Sequence, residues 1–508
     1  METKLYTPNK NGDFVFWFCF PAVNSFALSS LGYLWLLKEA ENLDDIITEK
    51  ITTDTEKTKF RPSDVDLMAF SMSFDFDFLN VFKILEKYKI PFKSSEREES
   101  YPLIFAGGPV VSANPEPYKE IFDFFIIGDG EETNNLIIKT VKDNREKSRN
   151  EILKILSEIE GVYVPKYPKN KIIKLTKPLD TCIYSTIISD EAFFKKTFII
   201  EIERGCSNCC RFCLASFLNL PVRHVKFETL REIIDLGLSK TNKIAFLGAQ
   251  VSAHPNFKEI CEYIDKKKDE IPDLEMNFSS LRVDAITPKV VKLLKKCGQK
   301  TVTLAIEAGS ERLRNVINKN ITEEQLFSAV KIIKENGLKG IKFYAIIGLP
   351  TETQQDIEEL ISLGKRIKKE FSPLEISFGF STFIPKPHTP FQWFGREENS
   401  VIENKIKYIQ KEFNKSGINT NFPSVKQDFW QAVLSRGDGS FTEFLIDTYK
   451  NGGKPSAFKK SAKLYNIDAE FYGQKLWDTE YKLPWEFIEP KSPPKEFLKK
   501  EFHGIIST

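Results

Sequence analysis

The segment FIIEIERGCSNCCRFCL, residues 198–214, dominates the interpretation of this chain. A short apolar run of strand type leads directly into four cysteines within eight residues, at positions 206, 209, 210 and 213. In the pattern CxxxCxxC, the thiols of Cys206, Cys210 and Cys213 have a spacing that suits a 4Fe–4S cluster. Such a cluster normally binds four thiolates, so three would leave one iron open to a reacting molecule. The segment therefore predicts a reactive metal site.

A zinc site is the alternative for the same residues. Cys206, Cys209 and Cys213 also form the pattern CxxCxxxC and, with His224, could supply a Cys3His set of zinc ligands. The order of the spacings, the aromatic Phe212 before the last cysteine and the strand-then-helix context favour iron and sulfur. Cys209 is then a spare thiol. The other four cysteines are scattered singly, which predicts buried thiols in a reducing cytoplasm and no disulfide framework.

Residues 196–390 repeat a strand-then-helix rhythm that predicts a partial (βα)6 barrel. Helix signals separate the apolar runs: Thr287 before Pro288 is typical of a helix N-cap, and Thr322 with Gln325 forms a capping-box pattern. In such barrels the chemistry lies at the carboxyl ends of the strands, which is where the cysteine segment begins. The predicted strands are Phe198–Glu203, Ile244–Leu247, Leu274–Leu281, Thr301–Glu307, Ile341–Ile347 and Ile376–Ile384.

Residues 1–170 alternate continuous apolar runs with helical patterns, which predicts a Rossmann-like, doubly wound α/β sheet that is covered on both faces. Glycines follow two of the runs, and loops at the carboxyl edge of such a sheet are where ligands bind. Residues 171–195 are interpreted as a connector. Residues 391–508 are predicted to be mainly helical, to pack on the barrel and to shape substrate access. The predicted strands of the sheet are Phe14–Phe20, Val65–Met72, Leu103–Ala106 and Phe122–Ile127.

The composition argues against several classes of protein. The 508 residues carry a formal net charge of +2, so no global charge favours binding to nucleic acid or to a membrane. The chain begins METKLYTPNKNGDF, which lacks the apolar core of a signal peptide, and no long apolar run of membrane-spanning length follows. We therefore expect a cytoplasmic protein of two or three domains, with no membrane span and no clear nucleic-acid signal.

Further segments follow the predicted barrel strands in order: FLGAQVSAHP (246–255), FSSLRVDAIT (278–287), TVTLAIEAGSERLRNVINK (301–319), FYAIIGLPTET (343–353) and FIPKPHTPFQW (383–393). Together with the cysteine segment, they make the chain similar to the radical S-adenosylmethionine (SAM) superfamily. The resemblance implies that SAM binds the open iron and is cleaved to a 5′-deoxyadenosyl radical. The SAM-binding residues that it implies are Phe212, Gly248, Ala249, Gln250, Ser280, Arg282, Glu307, Ser310, Arg312, Gly348 and Pro350.

The first 170 residues resemble the cobalamin-binding domain that precedes the barrel in one class of this superfamily. The segments SMSFDFDFLNVFKIL (71–85), LIFAGGPVVSANPEP (103–117) and FDFFIIGDGEE (122–132) carry the resemblance. Because the first histidine of the chain is His224, this region offers no histidine below the cobalt, and cobalamin would be bound base-off. A dinucleotide-binding or vestigial domain is the alternative. The cobalamin-binding residues that the resemblance implies are Ser71, Ser73, Gly107, Gly108, Pro109, Asn114, Glu116, Gly128, Asp129, Gly130 and Glu131.

The leading hypothesis is a cobalamin-dependent radical methyltransferase that acts on an unactivated carbon and receives electrons from a flavodoxin or ferredoxin in an anaerobic setting. A radical rearrangement, cyclisation or oxidation with cobalamin in another role is the second hypothesis, and a non-catalytic, RNA-associated metal protein is the third. Methylthiotransferases need three more cluster cysteines before the barrel, and only Cys19 and Cys182 precede it. His388 could donate a proton to the substrate or be a plain loop residue. Arg282 could bind SAM or pair with Asp284. The sequence leaves the substrate open.

Overall fold

The computed structural model describes residues 2–9, 11–278 and 281–506. Its N-terminal part alternates strands and helices: β1 (Glu2–Lys4), β2 (Phe14–Cys19), α1 (Asn24–Ala27), α2 (Leu31–Glu41), β3 (Ile46–Ile51), β4 (Leu67–Ser71), α3 (Asp77–Lys87), β5 (Leu103–Gly107), α4 (Pro109–Ala113), β6 (Phe124–Ile126), α5 (Thr133–Asp143), α6 (Arg149–Ser157) and β7 (Val162–Tyr163). Six strands form one sheet in the order β3-β2-β4-β5-β6-β7, which is parallel except for the pair β6–β7. This is the order of a doubly wound sheet.

The N-terminal sheet is covered on both faces, as predicted. Successive side chains of a strand point to opposite faces, and Phe16 of β2 lies in one apolar core while its neighbour Trp17 lies in another. Met68 of β4 shares the core of Trp17, and Leu67 that of Phe16. The sequence analysis missed β3. That strand lies at the edge of the sheet, where its half-exposed polar residues break the apolar run.

The connector crosses the edge of the N-terminal sheet and contains two short strands, β8 (Ile172–Ile173) and β9 (Ile187–Ser189). Strand β9 pairs antiparallel with β1. Leu175 forms a bridge with Gly128, which follows β6. Gly128 has a φ of 110°, and a Cβ there would lie 2.2 Å from the Leu175 carbonyl oxygen, so only glycine allows this approach.

The barrel comprises β10 (Phe198–Glu201), β11 (Glu203–Arg204), α7 (Leu214–Leu218), β12 (Arg223–His224), α8 (Phe227–Leu238), β13 (Lys243–Leu247), α9 (Phe257–Glu270), β14 (Glu275–Phe278), α10 (Pro288–Lys296), β15 (Thr301–Glu307), α11 (Glu311–Val316), α12 (Glu323–Glu335), β16 (Gly340–Ile347), α13 (Gln354–Glu370), β17 (Glu375–Thr382), α14 (Asn399–Asn414) and β18 (Asn419–Asn421). Two parallel sheets, β10-β13-β14 and β15-β16-β17-β18, meet through a bridge between Leu281 and Leu304. The six predicted strands are confirmed, and β18 adds a short further strand. The predicted caps also form, because Thr287 accepts from Val290 N and Thr322 from Gln325 N.

The C-terminal part is helical, as predicted, with α15 (Val425–Arg436), α16 (Thr442–Lys450), α17 (Pro455–Leu464), α18 (Ala469–Gly473), β19 (Ile488–Glu489) and α19 (Lys495–Ile506). Within the predicted C-terminal region, residues 391–508, the expected packing on the barrel is confirmed for α14, whose Ile402, Ile409 and Phe413 lie in the barrel core. It is wrong for α16 and α17. Helices α15 to α17 share one apolar core with the N-terminal sheet, where Phe458 lies 5.7 Å from Phe76 and 6.1 Å from Phe78 between ring centroids. The aromatic face of α3 would otherwise be exposed to water. None of the described helices is long and apolar enough to cross a membrane.

Candidate functional site

The cysteine loop begins at the carboxyl end of β10, and the short antiparallel pair β11–β12 closes its base. Gly205 has a φ of 88°, and a Cβ there would lie 2.6 Å from the Asn219 carbonyl oxygen, so glycine is required. Cys206 and Cys210 are buried, and Cys213 is half-buried. The three predicted ligands therefore lie together on one loop at the end of the first barrel strand.

Contacts from distant parts of the chain hold this loop. The side-chain amide of Asn318 donates to the carbonyl oxygens of Asn208 at 2.9 Å and of Cys209 at 3.0 Å. The guanidinium of Arg211 forms an ion pair with Glu501 of α19 at 2.8 Å. The segment after α11 thus binds the backbone of the loop, and the last helix binds one of its side chains.

The thiols of the loop lie in weakly polar surroundings. Cys206 Sγ accepts a hydrogen bond from the Asn208 side-chain amide at 3.4 Å and donates to Gln250 Oε1 at 3.5 Å. Burial raises the pKa of the Cys206 thiol and raises the pKa of Cys210 to about 12, although Lys319 opposes the second shift. Both thiols therefore carry protons at neutral pH until a bound metal displaces them.

The donor set fits a 4Fe–4S cluster better than a single zinc ion. In a cluster each thiolate binds a different iron, whereas zinc ligands converge on one ion. Among the described residues, no group of three or more His, Cys, Asp or Glu side chains converges in that way, so Cys206, Cys209, Cys213 and His224 do not form a Cys3His site. Cys209 instead packs against the core shared by the N-terminal sheet and the C-terminal helices, while Phe212 packs against a separate small core.

Glu203 is a site residue that the sequence analysis missed. Its side chain is 2% exposed, accepts a hydrogen bond from Gln250 N and lies 3.6 Å from His224 Nε2. Burial raises the pKa of Glu203 to about 7. Gly248 lies against this carboxylate, and a Cβ there would be 2.5 Å from Glu203 Cγ. The predicted SAM segment, with Ala249 at its centre, is therefore wrapped around a buried glutamate. A charged residue directly after an apolar strand was the signal for it.

Glu307 ends β15 with a φ of 63° and forms an ion pair with Lys319 at 3.0 Å. Both side chains are largely buried. Glu307 was predicted to end this strand and to bind SAM, and the structure shows that its carboxylate has Lys319 as a partner. Lys319 directly follows Asn318, which binds the backbone of the cysteine loop, called the cluster loop from here on. The ion pair therefore lies next to that contact.

Three other residues predicted to bind SAM are engaged by neighbouring carboxylates. Ser310 caps α11 and donates to Asp356, and Arg312 forms an ion pair with the same aspartate. Arg282 pairs with Asp284 at 3.1 Å, which is the alternative that the sequence left open. The contacts of Ser310 and Arg312 join the segment after β15 to α13, whereas the Arg282 pair lies within one loop. A role in SAM binding stays a prediction for all three residues.

The last predicted SAM residues lie after β16. Gly348 N donates to Glu352 Oε1 at 3.0 Å, and Glu352 forms an ion pair with Lys405 of α14 at 2.8 Å. Pro350 is buried beside them. Ser280 lies outside the described residues. The structure thus brings Gly348 and Pro350 to the end of their strand, with a buried ion pair behind them.

The predicted cobalamin edge of the N-terminal sheet faces the cluster loop. Ser73, Pro109 and Asn114 line a cavity of about 180 Å³ together with Lys386 and with Leu214, which directly follows the cysteine segment. The position fits a cofactor that must meet SAM. The volume is below the roughly 300–1,000 Å³ typical of drug-sized ligands, and cobalamin is larger than these. The loops around the cavity would have to separate to admit it.

Several polar residues assigned to cobalamin are already bound by other parts of the chain. The side-chain amide of Asn114 donates to the carbonyl oxygen of Gly437 at 2.8 Å, and Glu116 accepts from the Tyr163 hydroxyl at 2.7 Å. Gly107 differs, because a Cβ there would meet nothing closer than 3.8 Å. The edge therefore combines one open glycine with an asparagine that binds the end of α15 and a glutamate that binds β7.

Asp129 and Glu131 join the N-terminal sheet to the barrel. Arg204 forms ion pairs with Asp129 at 3.0 Å and with Glu131 at 2.8 Å, and Arg223 also pairs with Asp129. Burial would raise the pKa of Asp129, but Arg204 and Arg223 outweigh it and lower the pKa below its usual value. Both arginines, which the sequence analysis did not single out, belong to the β11–β12 pair at the base of the cluster loop.

His388 lies at the contact between the barrel and the N-terminal sheet. Its Nε2 lies 3.0 Å from the Ala113 carbonyl oxygen, and its backbone N–H donates to Gln392. Burial lowers the pKa of His388 to about 4, so the ring is neutral at pH 7. Its Nε2 then carries the ring proton and donates a hydrogen bond to the Ala113 carbonyl oxygen. A neutral ring bound in this way does not favour the predicted role of proton donor.

Comparison with known proteins supports the interpretation of both α/β parts. The family model for the N-terminal region of radical SAM proteins matches residues 37–165, and the model for the radical SAM superfamily matches residues 200–364. Protein MJ0966 of Methanocaldococcus jannaschii is 33% identical over 423 residues, which are 82% of this chain and 88% of that protein. A tRNA-2-methylthio-N(6)-dimethylallyladenosine synthase of Clostridium beijerinckii is 24% identical over 282 residues, 53% of this chain and 57% of that protein.

The similarity of fold extends over more of the chain than the similarity of sequence does. The radical S-adenosylmethionine methyltransferase TsrM of Kitasatospora setae, solved with cobalamin and a [4Fe–4S] cluster bound, matches 90% of this chain and 99% of its own with a TM-score of 0.53. The identity is 12%, so the match shows the fold alone. The two radical SAM family models together cover both α/β parts, and MJ0966 matches 82% of the chain at 33% identity. The chain therefore belongs to the radical SAM superfamily.

Proposed function

We propose that this radical SAM enzyme is a cobalamin-dependent methyltransferase that acts on an unactivated carbon of an organic substrate. The observation that carries the proposal is the cavity in which Ser73 and Pro109 of the N-terminal sheet face Leu214 beside the cluster loop. A cofactor at that sheet edge would lie next to SAM held at the cluster. The similarity of fold to TsrM, a radical SAM methyltransferase with cobalamin bound, supports the same arrangement.

The residues of the cluster loop have distinct roles in this proposal. Cys206, Cys210 and Cys213 hold the cluster, and Asn318 keeps the loop closed around it. With cluster and SAM bound, the site supplies one-electron cleavage of SAM to methionine and the 5′-deoxyadenosyl radical. Gln250, whose side chain contacts Cys206, lies on the segment proposed to meet the amino group of SAM. Bound cobalamin supplies a methyl carrier.

The remaining task of the protein is to position the substrate and exclude water. The 5′-deoxyadenosyl radical reacts with whatever C–H bond is nearest, so the selectivity depends on a fixed geometry in a closed site. Helix α19 lies over the cluster loop through the ion pair between Arg211 and Glu501. We propose that this last helix limits access of solvent to the cluster.

Sulfur insertion is a weaker candidate. The similarity to a tRNA methylthio synthase favours it, because that relative matches about half of this chain. The expected second cluster would need three cysteines before the barrel, and Cys19 and Cys182 are buried single thiols. The supply of cysteines therefore favours methyl transfer over sulfur insertion.

The first test uses the anaerobically reconstituted protein and needs no substrate. The cluster should contain about four iron and four sulfide per chain, as a cubane requires. Reduction by dithionite, or by the flavodoxin or ferredoxin that we propose as the donor, should release 5′-deoxyadenosine from SAM. Stoichiometric zinc in place of iron, or no 5′-deoxyadenosine, would contradict the proposal.

The second test concerns cobalamin and methyl transfer. Hydroxocobalamin should bind with a base-off spectrum, and after reduction the loaded protein should convert SAM to S-adenosylhomocysteine in a single turnover. Because the cavity at the sheet edge is only about 180 Å³, binding should also increase hydrogen exchange in residues 107–116. 5′-Deoxyadenosine without S-adenosylhomocysteine would point to a radical rearrangement or oxidation instead.

A further inference from the structure

A second, larger cavity lies where the connector, the barrel and the C-terminal part meet. Its volume is about 760 Å³, and its lining includes Lys174 and Thr176 of the connector, Phe217 of α7, His388 and Trp485. This volume is within the roughly 300–1,000 Å³ of small-molecule sites. Phe217 belongs to α7, the short helix that begins immediately after Cys213, so the cavity adjoins the cluster region through one turn of helix.

Lys174 is a buried cation in the wall of this cavity. The residue is 2% exposed, and its Nζ donates to the Leu175 carbonyl oxygen at 3.3 Å. Within the described part of the chain, no carboxylate lies within ion-pair distance of Nζ. Burial lowers the pKa of Lys174 to about 8, although Asp129 attracts the charged form. An ammonium group buried without a counter-ion is costly, so the site is ready for an anion from outside the chain.

Two further features of the wall point to a ligand. The Thr176 hydroxyl is buried and has no hydrogen-bond partner among the described residues, although buried polar groups are normally satisfied. The Trp485 ring is fixed, because its Nε1 donates to Gln392 Oε1 at 2.9 Å. With Phe217, it provides an apolar part of the wall. The lining also includes Glu160, Glu486, Glu489 and Glu496, of which Glu486 is paired with Lys495 and Glu489 with Lys171. Lys177, by contrast, is paired with Glu132 at 3.0 Å.

We infer that this cavity binds the substrate through an anionic group, a carboxylate or a phosphate, held by Lys174 and Thr176, with its apolar body against Phe217 and Trp485. The identification of the bound anion as the substrate rests on the proposed function, whereas the existence of the anion site does not. An organic anion in this position would be bound beside the helix that continues the cluster loop. The inference assigns a chemical class to a substrate that the sequence left open.

The test measures binding to the reconstituted full chain by anaerobic calorimetry. The probes are phenylacetate, phenyl phosphate and the neutral analogue phenylacetamide, and the first two distinguish a carboxylate site from a phosphate site. Wild-type protein should bind at least one of the two anions and not the amide. Lys174→Met, which keeps the length and removes the charge, should weaken that binding by at least about tenfold, which is about 1.4 kcal/mol. Lys177→Met is the matched control on the same wall and should bind as wild type.

Each contrary outcome is informative. Failure of both anions to bind wild type, equal binding of the amide, or equal weakening by Lys177→Met would overturn the inference. If Lys174→Met does not fold, the comparison of anion with amide on wild type still decides it, and Thr176→Val provides a second variant that should weaken anion binding. Release of 5′-deoxyadenosine without substrate is measured in parallel. Absence of 5′-deoxyadenosine from wild type would contradict the proposed function but would not change the anion-binding result.

Discussion

The barrel and the N-terminal sheet both place their motif residues at the carboxyl ends of parallel strands, but they use them differently. In the barrel, Asn318 binds the backbone of the cysteine loop, and the thiol of Cys206 makes only weak hydrogen bonds. At the edge of the N-terminal sheet, Asn114 holds carbonyl groups after α15, and Asp129 is bound by two arginines of the barrel. The first edge keeps its reactive groups free, whereas the second uses its polar groups for assembly.

The difference shows that side chains at the carboxyl ends of parallel strands can have different roles in two α/β folds. Metal binding replaces the weak hydrogen bonds of a thiol with a strong metal–sulfur bond. Contacts to the backbone can therefore position the loop without occupying its thiols. Carboxylate and amide side chains form strong hydrogen bonds and ion pairs with other residues. A cofactor that binds the same side chains must displace those contacts. Variants at both edges test this contrast.

Replacing one cluster ligand should have the largest effect. Cys210→Ala should lose the cluster and reduce 5′-deoxyadenosine to background, because two thiolates do not retain a cubane. Cys209→Ala is the matched control, since Cys209 packs against an apolar core and is not a ligand in this interpretation. Iron, sulfide and 5′-deoxyadenosine are measured for both. Loss of iron from Cys209→Ala with retention in Cys210→Ala would reverse the assignment.

Breaking the ion pairs between the two parts should have the largest effect on stability. Arg204→Met leaves Asp129, Glu131 and Glu201 without their common partner and should cost about 3–5 kcal/mol of unfolding free energy. Arg61→Met is the control, because that exposed pair with Asp64 should contribute little. Chemical denaturation measures both variants.

The same ion pairs predict a dependence on pH. The two arginines lower the pKa of Asp129 in the folded chain, so their contribution is present above its unfolded pKa and is lost as pH falls through the folded value. Wild type should therefore lose more stability than Arg204→Met on acidification below about pH 4. Parallel acid denaturation curves would show that the network does not act in this way.

Glu203 should behave in the opposite sense. Burial raises the pKa of Glu203 from 4.5 to about 7, so the folded chain holds a proton that the unfolded chain releases. Stability of the wild type should therefore fall as pH rises through this window. Glu203→Gln should remove that slope and be more stable than wild type at pH 8 by about 2–3 kcal/mol. Glu262→Gln, at an exposed site, is the control, and equal slopes in wild type and Glu203→Gln would contradict the assignment.

Asn114 should give the smallest effect and separates assembly from cofactor binding. Asn114→Ala removes the hydrogen bonds to the carbonyl groups of Ser435 and Gly437 and should cost about 1–3 kcal/mol. Asn451→Ala is the control, because it loses only exposed bonds, to the Asp447 carbonyl oxygen and from Lys460. Thermal unfolding and hydroxocobalamin titration are measured together. Unchanged stability with lost cobalamin binding would assign Asn114 to the cofactor instead of to the C-terminal helices.

Much of the fold could be predicted because its signals are local. The buried strands β2, β4 and β5 are continuous apolar runs, and the Thr322 cap needs only Gln325 three residues later. The edge strand β3 was missed because half-exposed polar residues interrupt its apolar pattern. The packing of α16 and α17 was predicted wrongly because their aromatic residues suit any apolar face, and only the assembled molecule shows that α3 offers it.

The candidate site divides in the same way. The spacing of Cys206, Cys210 and Cys213 predicts the cluster ligands, since three thiols within one loop are brought together by chain connectivity alone. Which polar and charged groups are paired depends on the tertiary structure. Arg204 binds Glu131, 73 residues away, and Asn114 binds the carbonyl oxygen of Gly437, 323 residues away. Lys174 shows the converse, because the packing around it brings no carboxylate of the described residues within ion-pair distance of its Nζ. Short-range patterns specify elements and ligand sets, whereas pairing over long separations depends on the packing of the whole chain, which no local pattern records.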